Sequence, residues 1–407
     1  MKFRKGFLIA IALLVGVARA GLGAVGTFVD VSDVGAVSRT TEATYEDATG
    51  TYTVGASGDN IWGERDAFGF VWKPTVGDVA LAARIEMQGE SAQEHRKAGL
   101  MLRQSLAPDS AYVDVVIHGD GLTSLQFRSE AGGPTREVQC ASQAPSAVRL
   151  EKRGDYVLLQ LENVSGRFEA SGCTIKLALK GTFYAGLVVC AHDNNAFEVV
   201  KFRRVSLGLL PKRSETRVSA IELIPLGSLD RKVIYRSPLH LDSPSFTANG
   251  KAICFREDGR LHVLSLSPGA DARTVGEQNA EECVTALTTT ASPWQVTHEI
   301  KSGRAQIFRR GGGNPKPLQL TRDQFSNWTP RLSPAGTMIA FISGSEPPAE
   351  GKPAAGDYLL REVPVDGPPR GEQPRELARF YGGAGSLGPA PWSADGKQLV
   401  FVSREPE

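Results

Sequence analysis

Three stretches in the last third of the chain share one local pattern: Ser243-Pro-Ser-Phe-Thr-Ala-Asn-Gly-Lys251, Pro330-Arg-Leu-Ser-Pro-Ala-Gly-Thr337 and Pro389-Ala-Pro-Trp-Ser-Ala-Asp-Gly-Lys397. Each runs into an apolar stretch: Ala252-Ile-Cys-Phe255, Met338-Ile-Ala-Phe-Ile342 and Gln398-Leu-Val-Phe-Val402. Asn-Gly and Asp-Gly accept the positive φ of a tight turn, so each copy predicts strand, turn, strand. One hairpin recurring at long period signals a repeat architecture, for which a β-propeller is the leading form. Gly250 and Gly336 stand about two periods of ~43 residues apart, which predicts a masked copy between them. Ser292-Pro-Trp-Gln-Val-Thr-His298, preceded by Cys283-Val-Thr-Ala-Leu287 and followed by Ala305-Gln-Ile-Phe308 and Pro317-Leu-Gln-Leu-Thr321, keeps the strand order without the Asp/Asn-Gly turn. Ser219-Ala-Ile-Glu-Leu-Ile-Pro225 and Lys232-Val-Ile-Tyr-Arg236 precede the first copy and are expected to complete the last blade, closing about four blades and removing exposed sheet edges.

Residues 26–207 follow another rhythm. Short apolar or alternating runs such as Phe68-Gly-Phe-Val-Trp72, Val79-Ala-Leu-Ala-Ala-Arg-Ile85, Ala98-Gly-Leu-Met-Leu-Arg103 and Tyr112-Val-Asp-Val-Val-Ile117 are separated by polar turns. Alternation marks antiparallel strands with one face on a core. Their number and spacing argue for a two-sheet sandwich. Residues 208–217, charged and Pro-containing, read as a linker, and 218–407 carry the repeats.

The chain has 407 residues, a formal net charge of +1 and five cysteines. No basic stripe interleaved with aromatics occurs, so nucleic acid is not an expected partner. Lys2, Arg4 and Lys5, the apolar run 6–17 and Ala18-Arg19-Ala20 read as a cleavable signal peptide over residues 1–20. That predicts a periplasmic or secreted protein, not membrane-spanning after cleavage, and permits disulfides. Cys190 lies in an apolar strand and reads as a core thiol, whereas Cys140 with Cys173, and Cys254 with Cys283, are candidate pairs.

Gly26-Thr-Phe-Val-Asp-Val, Asp59-Asn-Ile-Trp-Gly63, Lys97-Ala-Gly-Leu-Met-Leu-Arg103 and Gly186-Leu-Val-Val-Cys-Ala-His-Asp193 resemble the bacterial concanavalin A-like (LamG-type) domain annotated after a yeast enolase-regulation protein. That likeness implies a jelly-roll sandwich over residues 26–207 in an exported protein. The repeats resemble TolB-like propellers, whose blades carry a Ser-Pro-Asp-Gly-Lys turn before an Ile-Ala-Phe-like strand; Ala or Asn often replaces the acidic residue here. The resemblance implies loops that meet protein partners.

Catalytic machinery is not legible. The six histidines form no His-x-x-x-His pair, Gly-x-Ser-x-Gly is absent, and no Cys-x-x-Cys suggests zinc. Glu151, Glu162 and Glu169 sit in neighbouring strand-like runs, but solvated outer-face carboxylates explain them better than a glycosidase pair. No cofactor and no metal are expected. A sugar-binding face has better support: Trp62 and Trp72 serve either as aromatic platforms or as sandwich core, and Asp59, Asn60, Lys97, Arg103, Gln126 and Arg128 could bond hydroxyls. Lys97 and Arg103, six residues apart in one strand, share a face. Asp242, Glu282 and Asn327 precede inner strands and are candidates for the propeller mouth. The expectation is an all-β, non-catalytic binding protein whose sandwich meets a glycan or envelope polymer and whose propeller meets a protein. The alternatives are an extracellular polysaccharide hydrolase and a structural assembly subunit of an envelope complex.

Overall fold

A computed structural model of the chain describes residues 24–89, 93–210, 217–267, 272–274, 283, 293–311, 313–345, 353–369 and 371–406. The expected signal peptide and most of the expected linker lie outside these residues. Every named element is a β-strand, and among the described residues no helix is long and apolar enough to cross a membrane.

A ten-stranded sheet begins with β1 (Asp30–Val34), β4 (Phe68–Val76), β13 (Thr182–Cys190), β6 (Lys97–Arg103), β7 (Tyr112–His118), β8 (Thr123–Arg128) and β9 (Thr135–Gln139). A second sheet has the order β12 (Phe168–Lys176), β11 (Tyr156–Glu162), β10 (Ala147–Arg153), β5 (Val79–Gln88), β14 (Glu198–Gly208), β3 (Thr51–Ala56) and β2 (Glu42–Glu46). Side chains alternate across a strand, and that rule sorts the first sheet. Ala98, Leu100, Leu102, Val113, Val115 and Leu125 point into the core shared with Leu81, Val148, Leu150 and Leu159 of the second sheet. Lys97, Arg103, Asp114, His118, Gln126 and Arg128 occupy the alternate positions and therefore lie on the outer face. Within residues 24–210, two strands have no counterpart among the sequence-predicted ones: β2, a polar edge with an exposed alternation, and β9, whose Thr-Arg-Glu-Val-Gln lacks an apolar run.

The chain then returns to the first sheet. β16 (Arg231–Ser237) lies parallel to β9, pairing Arg231 with Val138 and Lys232 with Gln139. β15 (Ser219–Pro225) pairs antiparallel with β16 and, on its other side, with β28 (Gln398–Arg404), where Ile221 faces Val402. β15 and β16 thus share a sheet with β28, as expected from the repeats. The continuation of their sheet into the first two hundred residues was not anticipated. Ala220 and Val233 are consequently buried in the same core as Leu125, Val138 and Cys173.

Three smaller antiparallel sheets follow: β17–β20 (Leu241–Phe246, Ala252–Glu257, Arg260–Ser265, Ala272–Thr274), β21–β23 (Trp294–Lys301, Arg304–Gly311, Asn314–Gln319) and β24–β27 (Ser326–Leu332, Met338–Gly344, Gly356–Pro364, Arg375–Gly382). The turns at Gly250, Gly336 and Gly396 all have positive φ, as the repeated motif demands. β17 packs on β28 and β15, and β24 packs in the same way on β21 and β22. β21 therefore corresponds to the second strand of its neighbours; residues 284–292, which precede it where the other copies carry their motif turn, fall outside the described residues. Cys254 is disulfide-bonded to Cys283; Cys140, Cys173 and Cys190 are free and buried.

Candidate functional site

The outer face of the first sheet is covered. After β3, residues 57–67 cross it as a strap, pinned by an isolated bridge between Asn60 and Ala67. Gly58 makes the crossing feasible: its φ is +124°, and a Cβ there would stand 2.1 Å from the Ala67 carbonyl oxygen. Ile61, fully buried, packs with Phe68, Phe70, Met101 and Tyr112 beneath.

Polar groups fix the strap to the sheet. The Arg128 guanidinium forms a fork with Asp66, at 2.7 Å to Oδ1 and 2.9 Å to Oδ2, and donates to the Gly63 carbonyl at 2.9 Å. Arg103 meets the same carboxylate at 3.4 Å and donates to the Ala107 and Ser105 carbonyls at 2.6 and 2.7 Å. All three ionic side chains are 0 % exposed. Burial pushes the Asp66 carboxyl up despite both guanidiniums, which pull it down. Such a triad adds little net stability over an apolar isostere, but removing one member strands a buried charge.

Lys97 lies towards one end of this face. Its ammonium donates to Asn60 Oδ1 at 2.8 Å, to the Ile61 carbonyl at 2.9 Å and to Gln126 Oε1 at 3.3 Å, and stands 5.4 Å from the Trp62 ring centroid. Desolvation lowers its pKa, and the Asp114 carboxylate opposes that. Asp114 is fully buried, and no side chain donates a hydrogen bond to its carboxylate. Burial drives its pKa well up, with Lys97 the largest opposing charge. Each partner of this pair is displaced towards its neutral form.

Three histidines collect around Lys97. The register places His118 opposite Lys97 on β7 and Cys190 opposite it on β13, so His192 emerges alongside. The His95 ring packs edge-on against His192 at 5.4 Å and against His118 at 6.1 Å between centroids. Because the Gln126 Oε1 accepts from Lys97, its Nε2 donates to His118 Nε2 at 3.3 Å. The His118 proton therefore sits on Nδ1, which is buried without a partner. Burial and Lys97 hold this imidazole neutral, with its pKa pushed down to about 3. The His192 pKa is also lowered, mainly by burial, and its backbone adopts a φ of +57°. Among the described residues no group of three His, Cys, Asp or Glu side chains is arranged to hold a metal ion.

Six of the eight sandwich positions singled out in the sequence thus fall into two groups. Arg103, Gln126 and Arg128 are interior, with their polar groups directed at the strap, Lys97 and His118. Asp59 is exposed and Trp62 partly buried on the strap, with the Lys97 ammonium 5.4 Å from the Trp62 ring centroid. Trp72 lies apart, packed edge-on against Tyr184 and donating to Ser32. Reading the histidines singly missed their convergence; the signal was that His95 stands in the turn just before β6, which Lys97 begins, that His118 ends β7 and that His192 follows β13.

The second set of candidates is more dispersed. Asn327 is 0 % exposed and bonded to Gln306, Thr321, Asp323 and Ser343, so it braces its sheet from inside. Asp242 is half-buried, 3.7 Å from His240. Glu282 lies outside the described residues. A separate cavity of about 390 Å³ opens where β9 and β12 meet β16 and β27, lined by ionic side chains including Arg136, Glu137, Lys176, Arg231, Glu376 and Arg379.

No family model matches the chain, and no curated protein matches it. Among solved structures it is similar to a putative TolB from Agrobacterium tumefaciens, at 16 % identity and a TM-score of 0.38, over 47 % of this chain and 99 % of that one. A functionally unknown protein from Saccharomyces cerevisiae is similar at 16 % identity and a TM-score of 0.34, over 42 % of this chain and 92 % of that one. Lectin II from Ulex europaeus is similar at 10 % identity and a TM-score of 0.27, over 44 % of this chain and 92 % of that one.

Proposed function

We propose that this chain is a non-catalytic binding protein of the cell envelope or its surroundings, in which a jelly-roll sandwich (residues 26–207) takes a glycan or envelope polymer and a small four-bladed propeller (218–407) takes a protein. The observation that carries the glycan half of this reading is the partly exposed Trp62, held by the strap above Lys97 and next to Asp59 and Asn60. A sugar ring can stack its C–H face on an indole while its hydroxyls bond neighbouring carboxylate and amide groups. Asp59, Asn60 and Trp62 are assigned to contact the ligand. Lys97 supports Trp62 from below, and Arg103, Gln126 and Arg128 hold the strap that carries all of them. The buried acids face arginines or lie in the interior, an arrangement for rigidity and not for proton transfer to a substrate.

The propeller reading rests on the recurring turn and on the pairing of β15 with β28, which joins the two ends of residues 218–407 in one sheet. Within it, contact with a partner is assigned to Asp242, with Asn327 as an internal brace. The test of the glycan site is binding of the purified full chain to a printed panel of neutral and uronate-bearing oligosaccharides. Retention on at least one glycan class, weakened at least tenfold by Trp62→Ala with an unchanged melting temperature, is the expected result. Binding that Trp62→Ala leaves intact, or none on any glycan, overturns the assignment.

A further inference from the structure

Cys140 and Cys173 are buried, and their sulfurs lie 3.0 Å apart. Cys140 directly follows β9, the last strand of the first sheet before β16 joins it. Cys173 lies in β12, the edge strand of the second sheet. The pair therefore spans the two sheets at the rim where the rest of the chain attaches. Around it, Gly172 (φ +82°) lets Ala220, Val233 and Arg236 approach β12 closely, and Arg231 donates to the Thr174 carbonyl. No catalytic or ligand-binding task is assigned to these thiols, and each has the other as its nearest sulfur partner.

We infer that Cys140 and Cys173 are a modification site: they form a second disulfide, beside Cys254–Cys283, that staples the two sheets under the strands docked by residues 219–237. A sulfur separation of 3.0 Å needs about 1 Å of closure to reach the ~2.05 Å of a disulfide, within reach of small χ adjustments. The chemistry is thiol–disulfide exchange with a disulfide-bearing oxidant, such as a protein dithiol oxidase of an oxidising compartment or oxidised glutathione. One cysteine thiolate attacks the oxidant's S–S bond, forming a mixed disulfide and expelling one oxidant thiolate. The second cysteine thiolate attacks the chain's sulfur in that mixed disulfide, closing Cys140–Cys173 and expelling the other. Two cysteine protons pass to solvent and on to the released thiolates, and two electrons reduce the oxidant's disulfide to a dithiol.

Burial sets the timing. In the closed fold the thiols are sealed from an oxidant and Cys140 is held as the thiol by its neighbour and by burial, so the bond forms while the rim is still open. The hairpins β10–β11 and β11–β12 bring Cys173 back towards Cys140 before β15 and β16 cover the site.

The test uses the full chain exported to an oxidising compartment and purified without reductant. It is denatured, alkylated with iodoacetamide and digested with trypsin. The expected result is that peptides 137–149 and 168–176 run as one linked species and release on reduction, while Cys190 alone is alkylated. Alkylation of Cys140 and Cys173 in the bulk of the protein overturns the inference. A second measurement compares melting temperatures with and without reductant. In the natural sequence reduction should lower the midpoint more than in the Cys140→Ala, Cys173→Ala variant, by on the order of 5 °C. Equal shifts in the two proteins also overturn it.

Discussion

His118 concentrates the electrostatic character of the outer face in one side chain. Its Nε2 accepts from Gln126, its Nδ1–H is buried without a partner, and Lys97 stands nearby. Every one of these disfavours a second proton. With the native pKa near 3 and the unfolded value near 6.5, the unfolded chain binds a proton that the native chain refuses throughout that window. The stabilising term is thus complete above about pH 6.5 and is lost progressively as the pH falls towards 3. His118→Gln keeps an acceptor for Gln126 and removes the titration. Between pH 7 and pH 4, urea unfolding should show the native sequence losing about 2–3 kcal/mol more stability than the variant; equal losses would show that this imidazole takes up its proton without unfolding. At this scale the sequence was half legible. Strand alternation was enough to place Lys97 and Arg103 on one face, because side-chain direction within a strand is a local property, whereas bringing Gln126 and Arg128 to that face took the register of β6, β7 and β8. Their burial was not, because it depends on where residues 57–67 travel, and that path is set by Asp66 and Gly58 against partners far along the chain.

Among the elements, β28 shows how the repeats cohere. Its alternate residues enter two different cores: Leu399 and Phe401 pack with Trp392, Phe380 and Ala340, while Val400 and Val402 pack with Ile221, Leu241 and Phe255. A strand apolar on both faces reads as a continuous hydrophobic run, which is why Gln-Leu-Val-Phe-Val was recognisable without knowledge of its neighbours. Its partner on one side, β15, was legible only because the repeat left a blade short of strands. β9 and β2 escaped notice since neither carries such a run, and β9 owes its place to pairing with β8 and β16. Phe401 is 0 % exposed and stacks obliquely on Phe380 at 5.1 Å. Phe401→Ala should therefore cost about 3–5 kcal/mol, with the backbone amides of Ile221 and Leu223 on β15 losing hydrogen-exchange protection together with those of β28. Loss of protection confined to β28 would mean that the two strands do not open as one unit.

In the whole molecule, residues 24–210 and 217–406 are joined by strand pairing and side-chain contacts. β16 extends the sheet of the sandwich, Lys176 pairs with Asp357, and the Arg236 guanidinium donates to the Ala170 carbonyl. Arg231 is the centre of this seam: its Nε lies 3.4 Å from Glu222, while its other nitrogens donate to the Thr174 and Arg379 carbonyls at 2.7 and 3.2 Å. Glu222 is 0 % exposed, and burial already raises its pKa against the pull of Arg231 and a hydrogen bond from Ser403. Taking away the guanidinium leaves an acid with one donor in an apolar setting, at a cost of about 3–5 kcal/mol. Such a loss falls on the joint and not on either core, so Arg231→Met should split a single calorimetric transition into two. Replacing both residues, Arg231→Met with Glu222→Leu, removes the stranded charge and should restore most of the stability, because a buried ion pair is seldom better than apolar side chains of like volume. Whether the single transition returns as well separates two causes of the coupling. If it returns, sheet continuity and the shared burial of Ala220 and Val233 hold the halves together. If stability recovers while two transitions persist, the hydrogen bonds from Arg231 to Thr174 and Arg379 are what make the sandwich and the repeats unfold as one body.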